Sequence, residues 1–327
     1  MSQQISDEEA KLFLKRIMPN KDYLYIFVPF GVENFFIVAG LSHAIQKKKN
    51  KKATVLITSE NMRNYDFHYE NVEKISYLSY KLMPAITRYT YASEDYEDEN
   101  YIYGSFHADS AHNFIFDKEL NVIDRCKKNI LDLPLDTPFH TPLAEQLSDE
   151  HIDYLNKTYV LDKERTIILA APANKNNLSE MNFWRDLIRY LNGKGYIIYT
   201  YIENFFERPF PNTKPMITKF SELSYIADNV NCVIGIRLGG LSLFATTRAK
   251  IFSVVGFPAW YQDIKLLYPN CNCQSFYSTV DFVQALNAEN SKVNVIIYDI
   301  ELSHPNIKKD SIFYSYDDVL KNILKKF

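Results

Sequence analysis

Short apolar runs of strand length, each ending in a break and then a helical apolar pattern, most narrowly limit how this chain can fold. Tyr23-Leu24-Tyr25-Ile26-Phe27-Val28 is the first, broken by Pro29 to Asn34 and followed by apolar residues at helical spacing from Phe35 to Lys49. Ala53 to Thr58 supplies the next strand. The pattern restarts at Thr166-Ile167-Ile168-Leu169-Ala170-Ala171, with a polar loop at 172–177 and a helix through Phe183, Trp184, Leu187, Ile188 and Leu191. Tyr196 to Tyr201, Cys232 to Ile236 and Ile251 to Val255 read as further strands, with a helix starting over Leu241 to Thr247. A strand that is apolar on both faces needs cover on both, and alternating helices provide that cover around a parallel sheet.

Two such runs in 327 residues predict an α/β protein of two doubly wound, Rossmann-like domains facing a central cleft. The expected boundaries are 1–157 for the first domain and 158–314 for the second, with 315–327 a terminal helix crossing back onto the first. Leu133-Pro134-Leu135-Asp136-Thr137-Pro138-Phe139-His140-Thr141-Pro142 cannot be a helix interior and reads as the link between domains, with His151 to Lys157 a short helix beyond it.

Charge excludes more than it selects. Thirty-seven Lys and Arg against 40 Asp and Glu give −3, so no basic field points to a nucleic-acid partner. Cys126, Cys232, Cys271 and Cys273 are too few for a disulfide framework, and Cys271-Asn272-Cys273 lacks the second pair of a zinc site. The polar, acidic start is unlike a secretory signal, and no apolar run is long enough to span a bilayer. The expected location is the cytoplasm, extending at most to peripheral contact with the inner face of the cell membrane; lysine-rich stretches at Lys47 to Lys52 and Lys325-Lys326 are available for such contact but read first as solvated surface.

In open α/β sheets ligands bind outside the carboxyl ends of the strands, which singles out the loops 29–34, 104–112, 171–177 and 235–242. Glycine is scarce, 9 of 327 residues against a usual ~7%, so Gly239-Gly240 between a strand and a helix calls for an explanation. A glycine pair there lets the backbone approach a ligand, and free amides of Gly239, Gly240, Leu241 and Ser242 plus the guanidinium of Arg237 would suit a phosphate; a plain tight turn is the other reading. Ala173, Asn174 and Lys175 occupy the matching place after the domain's first strand, as donors to phosphate or sugar oxygens or as an ordinary polar loop. Glu33, at the start of the first helix, is placed to act as a general base on a hydroxyl, although Glu33 and Asn34 also suit helix capping. His107, Asp109 and His112 have no standard zinc spacing and read as substrate contacts or structural residues, so no metal is expected. No GxSxG elbow supports a hydrolase.

These pieces, in this order, resemble a GT-B glycosyltransferase, most similar to the bacterial heptosyltransferase-like enzymes of lipopolysaccharide and capsule assembly. Gly31-Val32-Glu33-Asn34 resembles that family's opening turn with its acidic base, Leu133 to Pro138 its linker, and Ile168 to Asn174 the opening of its donor domain. Ala227 to Gly240 resembles its nucleotide-diphosphate loop, without the histidine that usually follows there. The resemblance implies inverting, metal-independent sugar transfer from a nucleotide-sugar, the donor substrate and not a cofactor, to a saccharide or lipid-linked saccharide acceptor. On it Glu33 and Arg237 are catalytic, the loops 173–175 and 239–242 hold the donor, and Asn34, His107, Asp109 and His112 hold the acceptor. A non-catalytic nucleotide- or glycan-binding protein and a nucleotide-sugar epimerase are the alternatives on the same fold.

Overall fold

The structure is a computed structural model that describes residues 6–28, 32–65, 68–69, 72–79, 82, 86, 101–103, 120, 122–142, 146–171, 178–202, 208–236, 240–256 and 296–302. The chain divides into two compact units, Met1–Asn113 with Ile123–Leu143 and Phe114–Val122 with Ala144–Phe327. The expected terminal helix over 315–327 lies outside the described residues.

In the first unit, α1 (Asp7–Ile17) leads into β1 (Tyr23–Val28), and α2 (Val32–Lys48) into β2 (Ala53–Ser59). A 3₁₀ turn (Glu60–Tyr65), β3 (Lys74–Leu78) and β4 (Tyr101–Tyr103) follow. Ser6 starts α1 through a reciprocal cap, its hydroxyl accepting from the Glu9 amide while the Glu9 carboxylate accepts from the Ser6 amide at 2.8 Å. The strands form one parallel sheet in the order β3-β2-β1-β4. Phe35 to Leu41 are buried, which is why α2 reads apolar nearly all round.

Next come α3 (Val122–Arg125), continued by a π turn at Cys126–Ile130, and the proline-rich stretch. That stretch is tied down along α2. Lys48 Nζ donates to the carbonyls of Leu131 (2.9 Å) and Asp132 (2.7 Å), and Lys127 Nζ, fully buried, donates to Leu135 O at 3.0 Å. Farther along, the His140 amide donates to Gly40 O at 3.0 Å while the Phe139 ring lies over Gly40. A β-carbon on Gly40 would stand 2.5 Å from Phe139 Cε2 and 2.7 Å from His140 O. The segment expected to link the domains is therefore a strap belonging to the first unit through Pro142.

The second unit opens with α4 (Asp149–Thr158), capped by Ser148. β5 (Thr166–Ala170), α5 (Leu178–Gly193), β6 (Ile197–Tyr201), β7 (Lys214–Met216), α6 (Phe220–Asp228) and β8 (Cys232–Ile236) follow, then α7 (Gly240–Phe244), β9 (Lys250–Gly256) and β10 (Ile296–Leu302). All six strands are parallel, in the order β10-β9-β8-β5-β6-β7. Read from the far edge this is the 3-2-1-4-5-6 order of a doubly wound sheet. The expected α/β architecture holds in both units. Phe183, Trp184, Leu187, Ile188 and Leu191, at helical spacing on α5, are buried in one cluster with Ile167, Leu169 and Phe210, and Trp184 stacks on Phe210 at 5.5 Å. At the centre, Gly235 on β8 pairs with Ala170 on β5, and a β-carbon there would run into the Ala170 carbonyl oxygen and stand 3.0 Å from Leu241 Cδ1.

Two predictions follow from this packing. Gly40→Ala and Gly235→Ala each meet backbone and are expected to lose about 1–3 kcal/mol by overpacking. Gly193→Ala, with nothing within 4 Å of its new carbon, serves as the control and should stay within about 0.5 kcal/mol of the parent. Urea titration of the three variants decides, and equal midpoints would refute the close approaches. Burial pushes the Cys126 thiol up to about 12 and raises the Cys232 thiol as well. Neither should therefore be alkylated by iodoacetamide at pH 8 until the chain is unfolded, as read by peptide mass mapping.

Candidate functional site

A doubly wound sheet opens a crevice where two neighbouring strands send their following connections to opposite faces. In the first unit that point lies between β1 and β4, and Phe27 is in register with Tyr103. The connections leaving there are the loops 29–34 and 104–112. In the second unit it lies between β5 and β8, with Ala170 beside Gly235, and the connections leaving are 171–177 and 235–242. The strands that lead into the four loops chosen from sequence, β1, β4, β5 and β8, are thus the strands that flank the two switch points, paired two and two, while most of the loop residues lie outside the described residues. That pairing depends on strand order, which no single loop carries.

At the first switch point Thr58 Oγ1 donates to Val28 O at 2.9 Å, fixing the last carbonyl of β1 before the chain turns. Glu33 and Asn34 fall in the first turn of α2. Asn34 is 1% exposed, and its Nδ2 finds no partner among the described residues. The Tyr69 hydroxyl is in the same condition, buried and unpartnered among the described residues, with its ring set edge-on to Phe35 at 6.1 Å. Burial holds the Tyr69 phenol well above the ordinary tyrosine range, so it is a neutral hydroxyl. Buried polar atoms of this kind are normally satisfied, so two around one helix start are noteworthy. Sequence reasoning named Asn34 and missed Tyr69, which carries no motif and comes to α2 only through the connection after β2. His107, Asp109 and His112 lie outside the described residues.

At the second switch point Gly240 opens α7, and Leu241 turns inward to full burial against β8. Leu241 therefore anchors the start of α7 and is buried as a whole residue; Ser242 follows within the same helical turn. The helix is shorter than expected, ending at Phe244 and not at Thr247. Thr246 and Thr247 return their hydroxyls to the carbonyls of Leu243 (3.0 Å) and Phe244 (2.7 Å), an alternative to continuing the helical ladder. A five-residue helix has little macrodipole, so anion binding at this corner would fall mainly to loop amides and Arg237. Ala173, Asn174, Lys175, Arg237 and Gly239 lie outside the described residues.

One polar pair of the second unit had no signal in the sequence. His151 Nε2 meets Glu222 Oε1 at 2.5 Å, and the other Glu222 oxygen accepts from the Lys219 amide at 2.8 Å. Glu222 is nearly buried, and both its oxygens are occupied in joining α4 to the start of α6. The residues lie 71 apart in sequence, so only the fold brings them together. Among the described residues no group of three or more His, Cys, Asp or Glu is placed to hold a metal ion, and no helix is long and apolar enough to cross a membrane.

No protein-family model matches the chain, and no curated protein matches it by sequence. Its fold does match solved structures. The glycosyl transferase family 9 protein of Veillonella parvula aligns over 94% of this chain and 97% of its own, with a TM-score of 0.51 at 10% identity. E. coli ADP-heptose LPS heptosyltransferase II aligns over 92% and 98%, TM-score 0.48 at 11% identity. E. coli heptosyltransferase WaaC with ADP aligns over 93% and 100%, TM-score 0.44 at 12% identity. In fold, with its two Rossmann-like units, this chain is similar to a family 9 glycosyl transferase, in line with the fold its motifs led one to expect.

Proposed function

We propose that this protein is a glycosyltransferase that moves a sugar from a nucleotide-sugar donor to a saccharide or lipid-linked saccharide acceptor in bacterial surface-polysaccharide synthesis. The observation that supports the reading is the order of the strands, whose switch points lie between the strands that lead into the four motif-bearing loops, in a fold shared with a family 9 glycosyl transferase. The second unit takes the donor, its diphosphate held by amides of Gly239 to Ser242, by Arg237 and by the loop of Ala173, Asn174 and Lys175. The first unit takes the acceptor, among Asn34, His107, Asp109 and His112.

Glu33 accepts the proton of the acceptor hydroxyl as that oxygen attacks the anomeric carbon. The bond from that carbon to the phosphate oxygen breaks on the opposite side, so configuration inverts. Negative charge growing on the departing phosphate is met by Arg237 and the main-chain amides, which is why the mechanism needs no metal ion. A cytoplasmic location at the inner face of the membrane fits an activated donor and a lipid-linked acceptor.

Thermal unfolding with a panel of nucleoside mono- and diphosphates tests the reading. A ligand at about 100 times its Kd adds about 2.7 kcal/mol, a shift of several degrees. Arg237→Ala is expected to weaken that binding about 10- to 100-fold, as the loss of a charged hydrogen-bond partner does. Glu33→Gln should leave binding intact and cut sugar transfer about 10²- to 10⁴-fold. No stabilisation by any nucleotide would refute the proposal. Binding without transfer to any acceptor extract would favour the non-catalytic alternative, and turnover without an acceptor the epimerase.

A further inference from the structure

Three of the five large apolar side chains exposed among the described residues belong to one region of the second unit: Tyr154 (59% exposed), Val160 (49%) and Ile217 (49%). Tyr159 joins them. Its hydroxyl donates to Ile217 O at 2.8 Å and accepts from the Ile217 amide at 3.3 Å, Val160 follows it in the chain, and Tyr154 precedes it on the last turns of α4. Scattered exposed apolar residues need no explanation, but a gathered set rimmed by charge marks an interaction surface.

The helix that carries Tyr154 is fixed in place. Ser148 Oγ accepts from the His151 amide at 3.2 Å and caps it. His151 meets Glu222, and the Tyr225 hydroxyl donates to Asn156 Oδ1 at 3.0 Å, so two contacts hold α4 against α6. Leu155 is its buried anchor. On the other side Glu150, Asp153, Tyr154 and Lys157, spaced i, i+3, i+4 and i+7, share one face, and all four are exposed. Glu150, Asp153 and Lys157 make no ion pair among the described residues.

This face is complementary to itself. A two-fold axis level with Leu155 runs a second α4 antiparallel and sets Asp153 of each copy against Lys157 of the other. Glu150 comes within a further turn of the same lysine, and the two Tyr154 rings fall between the charge pairs. Aromatic centres within a polar, charge-matched rim are the usual anatomy of a specific contact. Association by strand addition is closed off beside it, because the edge strand β7 carries exposed Lys214 and Pro215. We infer that the outer face of α4, centred on Tyr154 and flanked by Val160 and Ile217, is the contact between two copies of this chain in a two-fold dimer. A preformed, clamped helix loses little freedom on docking. The contact is at the small end of specific interfaces, so the dimer is reversible. Dimerisation through α4 does not depend on sugar transfer.

Sedimentation equilibrium of the full chain over about 1–200 µM protein at about 0.1 M salt tests it. A reversible monomer–dimer equilibrium is expected, weakening as salt is raised. Tyr154→Ala should weaken it about 30-fold, as loss of a central aromatic does. Lys157→Glu, and separately Glu150→Lys/Asp153→Lys, place like charges opposite each other and should each weaken the homodimer about tenfold or more. Mixed in equal amounts, these two charge variants should associate again as a heterodimer, a recovery that misfolded chains would not give. A chain that stays monomeric across the whole range, a dimer undiminished in all three variants, or a mixture no tighter than its separate components would overturn the inference.

Discussion

Parallel pairing of β5 with β8 is the constraint on which the second unit, and the candidate site within it, depends. A strand between two parallel neighbours in the middle of a sheet must be reached by long crossovers, and where their direction reverses a crevice opens. The Ala170 carbonyl packs so closely against Gly235 that any side chain there would strike it. The carboxyl ends of the two strands, Ala170 and Gly235, are held side by side by the pairing itself. β1 and β4 set the same relation in the first unit, in a smaller sheet.

Around that frame, lysine does a job that proline makes necessary. A segment with three prolines in ten residues has few amide donors, yet each residue still presents a carbonyl that must be satisfied if it packs on protein. Lys48 and Lys127 supply those donors along the strap between Leu131 and Leu135. Lys127 does so from complete burial, which is tolerable because Asp124 stands 3.3 Å from its ammonium. The strap is part of the first unit for this reason, and Gly40 is the place where it comes closest to α2.

The two ends of the first sheet differ in character. Its carboxyl end holds two buried polar groups, Asn34 and Tyr69, without partners among the described residues, beside a helix start. Its amino end is crowded with exposed lysines, of which Lys48 and Lys52 pair with Asp132 and Asp22. Composition averages the two, so the near-neutral charge that argues against a nucleic-acid partner says nothing about how charge is distributed.

By itself the sequence determined the local alternation of buried strands and helices, because burial on both faces writes an unbroken apolar run and a helix writes its own period. That was enough for the α/β class and for the breaks between β1 and α2 and between β8 and α7. It did not disclose β3, β4, β7 or β10: Lys214–Met216 is three residues long and contains Pro215, and Ile296–Leu302 mixes charge into its pattern as an edge strand can. Only the tertiary structure decided which strands are neighbours, that the proline-rich stretch is a strap, that α7 stops after one turn, and that His151 meets Glu222. Each of these is a contact between residues far apart in the chain, fixed by the packing of whole elements, and a local pattern holds no record of it.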